Sequence, residues 1–132
     1  MFSMKIKEKK FYICKHCGNL VGLINNAGVP LVCCGEEMME LIPNTKDAAV
    51  EKHIPVINVV GNKVIVEIGS APHPMTEEHY ISWVYIETKK GGQRKELLPG
   101  NKPYVEFALT EDDTLESAYA YCNLHGLWKS SL

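Results

Sequence analysis

Four of the chain's five cysteines fall between Cys14 and Cys34, as Cys14-Lys-His-Cys17-Gly and, fifteen residues further on, Cys33-Cys34-Gly. No other feature restricts the fold as strongly. The segment around them offers little for a core beyond Phe11, Tyr12, Ile13, Leu20, Val21, Leu23 and Ile24. A unit that small needs a metal or disulfides to hold its shape. An odd cysteine count with two neighbours in sequence makes a poor disulfide framework, so thiols kept reduced as metal ligands are the better reading. Four thiolates close a tetrahedral shell around zinc or iron. Cys-x-x-Cys-Gly is expected to form a knuckle in which Gly18 takes positive φ and turns backbone N–H groups toward sulfur, with Gly35 doing the same after the second pair. His16 reads as an exposed turn residue, because the thiolates already fill four positions. A zinc ribbon would repeat the Cys-x-x-Cys spacing. The adjacent pair widens one sulfur–metal–sulfur angle, which alone does not choose iron over zinc. A closed shell leaves no place for a substrate, so this site is structural or carries electrons.

The remainder has a different composition. Residues 1–36 carry five Lys and two Glu, net +3; residues 37–132 carry nine basic and fourteen acidic groups, net −5. The acidic part argues against a phosphate-binding surface and hence against nucleic acid. The Lys5–Lys10 run reads as a solvated start. The opening MFSMKIKEKKF has no apolar stretch behind its charges, and Ile54–Val60 is far too short to span a bilayer. The expectation is a cytoplasmic chain with no membrane role. Domains are expected at 1–36 and 37–132, with Pro43-Asn44 marking the break. Ile54–Val60 and Lys63–Ile68 flank Gly61-Asn62, a hairpin signal. His79–Thr88 is apolar on both faces and should be a central strand. Lys89–Gln93 is a turn, and Pro103–Leu109 and Leu115–Tyr121 are strands. Thr45–Lys52 is predicted as a short helix capped by Asn44 or Thr45. The class is mainly β, a sandwich or barrel.

The other histidines and the fifth cysteine fall in turns or at strand ends. His73 lies in Ala-Pro-His-Pro-Met, where two prolines stiffen the loop. Cys122-Asn-Leu-His125-Gly lets two side chains reach one ion. His53 follows Glu51-Lys52 and precedes Ile54-Pro55, and His79 opens the long strand. Rigid strands with donors at their ends are a common way to build a site. Spacing leaves two readings of Cys122 and His125 open: a mononuclear metal site, or unrelated surface residues.

Taken in order, Cys14-x-x-Cys17, Cys33-Cys34, Glu51-Lys52-His53, His73-Pro-Met, Glu78-His79-Tyr80-Ile81 and Cys122-Asn-Leu-His125-Gly resemble the desulfoferrodoxin family of two-iron superoxide reductases. The resemblance runs from about Phe11 to Trp128. It implies a desulforedoxin-like iron knuckle on Cys14, Cys17, Cys33 and Cys34, then an immunoglobulin-like β-sandwich. It implies a second iron on His53, His73, His79, Cys122 and His125, with four imidazoles in a plane, a thiolate on one side and the sixth position open. It implies reduction of superoxide to hydrogen peroxide, with rubredoxin as external donor and a homodimeric assembly. By the same resemblance Lys52 attracts superoxide and helps to order water for protonation, and Glu51 takes the sixth position when the iron is oxidised. On residue chemistry alone, Lys52 could equally be a solvated lysine and Glu51 an ordinary ion-pair partner. Three other functions compete: an electron-transfer or iron-storage protein, a zinc-ribbon interaction module, and a metallohydrolase. A thiolate with four histidines suits the last poorly, since such sites pair His with carboxylates and bound water. Visible colour separates iron–thiolate sites from zinc.

Overall fold

The computed structural model describes residues 10–132; most of the basic run, Lys5 to Lys9, lies outside them. The chain divides into two compact units, one ending at Leu41 and one from Ile42 to Leu132. Among the described residues, no helix is long and apolar enough to cross a membrane.

In the small unit β1 (Lys10–Ile13) pairs antiparallel with β2 (Leu20–Leu23). β3 (Val32–Cys33) and β4 (Glu36–Glu37) form a hairpin, and β5 (Met39–Glu40) pairs with the free side of β1. Phe11 is the one well-buried large side chain here, at 5% exposure. The hairpin explains why two cysteines are adjacent. Cys33 pairs with Glu36, leaving Cys34 and Gly35 as a two-residue turn with φ of 54° and 76°. Two successive positive φ values are those of a type I′ turn. Cys34 takes a conformation that costs a non-glycine residue about 1 kcal/mol, which argues that its thiol is needed there.

The large unit opens with one helical turn, α1 (Val50–His53), and continues as β6 (Pro55–Val60), β7 (Lys63–Ile68), β8 (Ile81–Thr88), β9 (Gly91–Glu96), β10 (Tyr104–Ala108), β11 (Leu115–Cys122) and β12 (Gly126–Ser131). Its two antiparallel sheets have the orders β10-β7-β6 and β12-β11-β8-β9. This is the expected sandwich behind a cysteine knuckle. Alternation along β7 sends Val64, Val66 and Ile68 inward, and β11 answers with Ala118, Ala120 and Cys122, all at 0–1% exposure. Val84, Ile86 and Phe107 complete the contact between the sheets. Cys122 is therefore the last member of a core-facing row. Opposite it the β8–β11 register slips: Tyr121 pairs with Trp83, but Cys122 pairs with Ile81. Such bulges re-aim side chains next to sites.

Three expectations need correction. The helix predicted over Thr45–Lys52 is confined to Val50–His53, and its N-cap, Ala49, makes no side-chain bond. Asn44 does not cap it: its Nδ2 donates to Lys129 O at 3.0 Å and its Oδ1 accepts from Lys129 N at 2.8 Å, which stitches residue 44 to β12. The long central strand starts at Ile81, because His79 and Thr76 exchange backbone bonds of 2.9 and 3.2 Å in a turn. The turn expected over Lys89–Gln93 occupies only Lys89 and Lys90, and Gly91–Glu96 is a polar edge strand.

Gly69 fixes how the loop after β7 meets α1. It has φ of 85°, and a Cβ there would lie 2.3 to 2.8 Å from the carbonyl oxygens of Ala71, Lys52 and Glu51. Its N–H donates to Ile54 O at 3.0 Å and that of Ala71 to Glu51 O at 3.0 Å. Backbone oxygens cannot turn aside as a side-chain tip can. Gly69→Ala should therefore cost about 2–4 kcal/mol of stability, from the left-handed backbone plus overpacking. Urea unfolding followed by tryptophan fluorescence checks this, since Trp83 and Trp128 both lie in the sandwich. An unchanged midpoint would show that the loop relaxes freely.

Candidate metal centres

Cys14 directly follows β1, and the chain then turns back on itself. Gly18 N donates to Cys14 O at 2.9 Å, Cys14 N donates to Asn19 O at 2.8 Å, and Gly18 has φ of 81°. The sulfurs of Cys14, Cys17, Cys33 and Cys34 all lie within 4.8 Å of one another, with Cys17 and Cys33 at 3.6 Å. Metal–sulfur bonds of about 2.3 Å give a tetrahedral sulfur–sulfur edge of about 3.8 Å, so the set is of the right size. Cys14 is buried, whereas Cys17 and Cys34 reach solvent. The backbone N–H of Cys17 holds the Cys14 thiol down to about 6. The facing thiols, Cys17 first, raise Cys33 and push Cys34 up to about 12. One thiolate forms easily; four cannot collect here unless a cation offsets their charge. Asn19, absent from the sequence expectations, donates its backbone N–H to Cys17 Sγ at 3.4 Å and its amide to Cys33 Sγ at 3.7 Å. His16 is exposed and pairs with Glu36 at 3.2 Å.

The second donor set gathers at one end of the sandwich, from three connections. α1 brings His53, the loop between β7 and β8 brings His73 and His79, and the β11–β12 hairpin brings Cys122 and His125. Donor atoms of His53, His79, Cys122 and His125 lie within 4.8 Å of one another. His73 completes the group through its ring, whose centroid is 4.7 Å from those of both His53 and His79. His125 lies 5.0 Å from both of the same rings. The neighbouring rings meet at 78–84°, and the diagonal pair His53–His79 is 6.3 Å apart. Four imidazoles thus stand at the corners of a square, beside Cys122 Sγ at 3.9 Å from His125 Nδ1.

Hydrogen bonds fix which nitrogens point inward. The His53 ring donates from Nδ1 to Ala49 O at 2.7 Å, and the His73 ring from Nδ1 to Pro74 O at 2.6 Å. A carbonyl only accepts, so each neutral ring keeps its lone pair on Nε2. His53 Nε2 faces His125 Nδ1 at 3.1 Å. The Nε2 atoms of His73 and His79 are buried without any protein partner. Unpaired buried polar atoms cost about 1–3 kcal/mol each, and lone pairs converging on one point are satisfied together by a cation. The residues therefore fit a metal on this structure's own terms. Burial lowers the pKa of His53 and His79 and brings His73 down to about 4. Burial also raises the Cys122 thiol, against N–H groups of His125 and Leu124 that favour its thiolate.

Glu51 and Lys52 are exposed on the same helical turn as His53. The Lys52 charge acts on both His53 and His79, disfavouring their protonation, while Glu51 acts on His53 in the opposite sense. The sequence expectations missed Trp128. It is buried, stacks on the His53 ring at 4.8 Å and 28°, and donates Nε1–H to His125 O at 3.0 Å. It supports two corners of the square at once. Only the one-residue gap between Gly126 and Trp128 could have hinted at this.

A closed thiolate knuckle and a sandwich with a buried histidine–cysteine square together define a two-site metalloprotein for redox-active, sulfur-ligated ions. The desulfoferrodoxin family model matches residues 45–131, and the model of the desulfoferrodoxin N-terminal domain matches residues 7–42. This chain belongs to the desulfoferrodoxin family. It is 46% identical over 119 residues to a desulfoferrodoxin homolog of Archaeoglobus fulgidus, covering 90% of this chain and 94% of that one. It is 43% identical over 123 residues to the desulfoferrodoxin of Nitratidesulfovibrio vulgaris, covering 93% and 96%. The crystal structure of the superoxide reductase from Treponema pallidum matches with a TM-score of 0.81 and 46% identity, over 95% of this chain and all of that one. A one-iron superoxide reductase from Giardia intestinalis matches with a TM-score of 0.53 and 32% identity, over 62% of this chain and 97% of its own.

The buried histidines set the acid behaviour of the metal-free chain. In the unfolded chain they titrate near 6.5, and in the folded chain below that. The folded state binds fewer protons, so their contribution to stability is complete above the unfolded value and is lost as pH falls through 6.5 toward 4. The urea midpoint of metal-free protein should hold steady above about pH 7 and decline below 6.5. His73→Gln should flatten the decline. A midpoint independent of pH across that window would show that these rings are not held neutral by burial.

Proposed function

We propose that this chain is a superoxide reductase whose reaction takes place at the histidine–cysteine square. In balance, superoxide takes one electron and two protons to give hydrogen peroxide. The observation carrying this reading is the donor set: three lone-paired Nε2 atoms, one Nδ1 and one thiol facing a common point. His53, His73, His79, Cys122 and His125 would hold one iron, and Cys14, Cys17, Cys33 and Cys34 the other. Iron supplies ferrous–ferric one-electron chemistry and, with five protein ligands, one open position for a small anion.

The chain's own residues do the rest. The imidazoles bring no charge, so the square does not repel an incoming anion. The Cys122 thiolate raises electron density at the centre, which favours protonation and release of the reduced product. Lys52 attracts superoxide and orders water that delivers protons. Glu51, on the same turn, is the carboxylate that would take the sixth position in the oxidised state. The electron comes from an external donor, for which a rubredoxin fits the family resemblance. The same resemblance supports a homodimer. Residues 1–36 would form the four-cysteine iron domain and 37–132 the reductase domain. Five free thiols fit a reducing cytoplasm.

The one-iron relative aligns over 62% of this chain, which supports a reaction independent of the knuckle. Wild-type protein should hold two irons per chain by elemental analysis. Cys14→Ser should disturb the knuckle and leave single-turnover oxidation by superoxide largely intact, whereas Cys122→Ser should abolish it. The opposite pattern would place the chemistry in the knuckle.

Lys52 gives a second test. Lys52→Ala should slow the second-order reaction about tenfold and flatten its dependence on ionic strength. Lys52→Arg should keep most of the rate, because charge is being used. Lys63, which pairs with Glu106 at 3.2 Å on the β7–β10 face, is the control. Pulse radiolysis at several salt concentrations reads the result. A wild-type rate and salt slope in Lys52→Ala would make Lys52 an ordinary solvated lysine.

A further inference from the structure

The four imidazoles are not held alike. His53 and His73 are each oriented by a carbonyl that accepts from Nδ1, at 2.7 and 2.6 Å. His125 is held through its own loop: its backbone N–H donates to Cys122 Sγ at 3.4 Å and its carbonyl accepts from Trp128 at 3.0 Å. His79 has no such hold. Among the described residues, no protein group takes a hydrogen bond from its ring, and its Nε2 is buried without a partner. A ligand ring free to swing costs a site affinity and definition, and outer partners ordinarily prevent that. For His79 the constraint has to come from its backbone.

That backbone is clamped by one side chain. Asn123, between the ligands Cys122 and His125, accepts from Tyr80 N at 2.9 Å through Oδ1 and donates from Nδ2 to Glu78 O at 3.0 Å. Its own N–H donates to Tyr80 O at 3.2 Å. Three bonds from one residue thus bracket His79 from the positions before and after it. On the other side, Thr76 accepts from His79 N at 3.2 Å and donates to His79 O at 3.3 Å. The amide fits this task because it offers a donor and an acceptor in one plane, matched to a carbonyl and an N–H two residues apart.

We propose that Asn123 is the positioning residue for His79, locking the loop that carries it to the Cys122–His125 hairpin so that the fourth imidazole stays aimed at the metal. The inference rests on the metal-site reading above. It predicts that Asn123 acts on the metal through His79 and leaves the four-cysteine site alone.

The test uses full-length, iron-loaded protein. Release of iron to a chelator is followed separately at the two sites by their visible absorption, and the ferric sandwich site is recorded by EPR. Asn123→Ala should speed release from the sandwich site about tenfold, at the low end of what losing an outer partner does to metal affinity. Its EPR signal should broaden as His79 samples several orientations. The knuckle should release iron as in wild type. Asn123→Asp keeps the acceptor for Tyr80 and loses the donor to Glu78, so it should fall between wild type and Asn123→Ala; it carries the test if the alanine variant does not fold. Wild-type release and a wild-type EPR line in either folded variant would overturn the proposal. Equal acceleration at both sites would also overturn it, since that reports general loosening. If wild-type protein itself held no iron in the sandwich, the metal-site reading would fall instead, so the two failures are distinct.

Discussion

A cluster of lone pairs that only a cation can satisfy governs this molecule. His53 and His73 give their ring protons to carbonyls, so their Nε2 atoms face inward bare, and the buried Nε2 of His79 joins them. His53 Nε2 meets His125 Nδ1 at 3.1 Å. Protonation would relieve the mutual repulsion, but burial opposes it, bringing His73 down to about 4. Without a metal the site is therefore neutral, unsatisfied and destabilising, and with one each of those costs is reversed. The knuckle meets the same problem with the opposite charge, since its thiols resist becoming four thiolates in one small volume.

The sandwich makes such a cluster affordable. Val64, Val66 and Ile68 on β7 pack against Ala118 and Ala120 on β11 with no exposure above 1%, so stability is gathered in the middle of the domain. The ends of the strands are then free to carry strained, poorly satisfied groups. Cys122 shows the transition: it ends a core-facing row, and the β8–β11 register slips beside it. Three connections that share no sequence neighbourhood converge there. Their relative positions depend on Gly69 against the α1 carbonyls and on Asn123 against the His79 turn.

The sequence made some of this readable and hid the rest for physical reasons. β6, β7, β8, β10 and β11 showed themselves through β-branched runs and period-two alternation, because one face of each is buried. β9 did not: Gly-Gly-Gln-Arg-Lys-Glu is a solvated edge whose Gly92 lies so close to the Tyr85 ring that a Cβ would collide with it. β12 was missed because Gly126 reads as a turn, which it is, with φ of 77°, before pairing back onto Cys122. The short helix was overextended, because local propensity could not reveal that Asn44 would bond to Lys129 instead of capping it. The donor residues were visible as types at strand ends, but their union in one square required the resemblance. Trp128, Asn19 and Asn123 act through hydrogen bonds and stacking that no spacing rule encodes.

The two donor sets also differ in what their surroundings allow them to do. In the knuckle, Cys17 and Cys34 are exposed, the sulfurs fill a tetrahedron, and the N–H groups of Asn19 and Cys17 stabilise negative charge on them. A closed, solvent-edged thiolate shell with donors already in place changes oxidation state with little rearrangement, and nothing can enter it. In the sandwich, a single thiol is fully buried and the other donors are neutral rings. That arrangement leaves the ion's charge largely uncompensated, which draws a small anion toward it. Glu51 and Lys52 place charges of both signs at the rim, on one helical turn whose backbone is pinned by Gly69 and Ala71. Which charge faces the centre then depends on side-chain rotation alone. That is a small and fast motion, suited to a site that must admit one anion and shed another within each turnover.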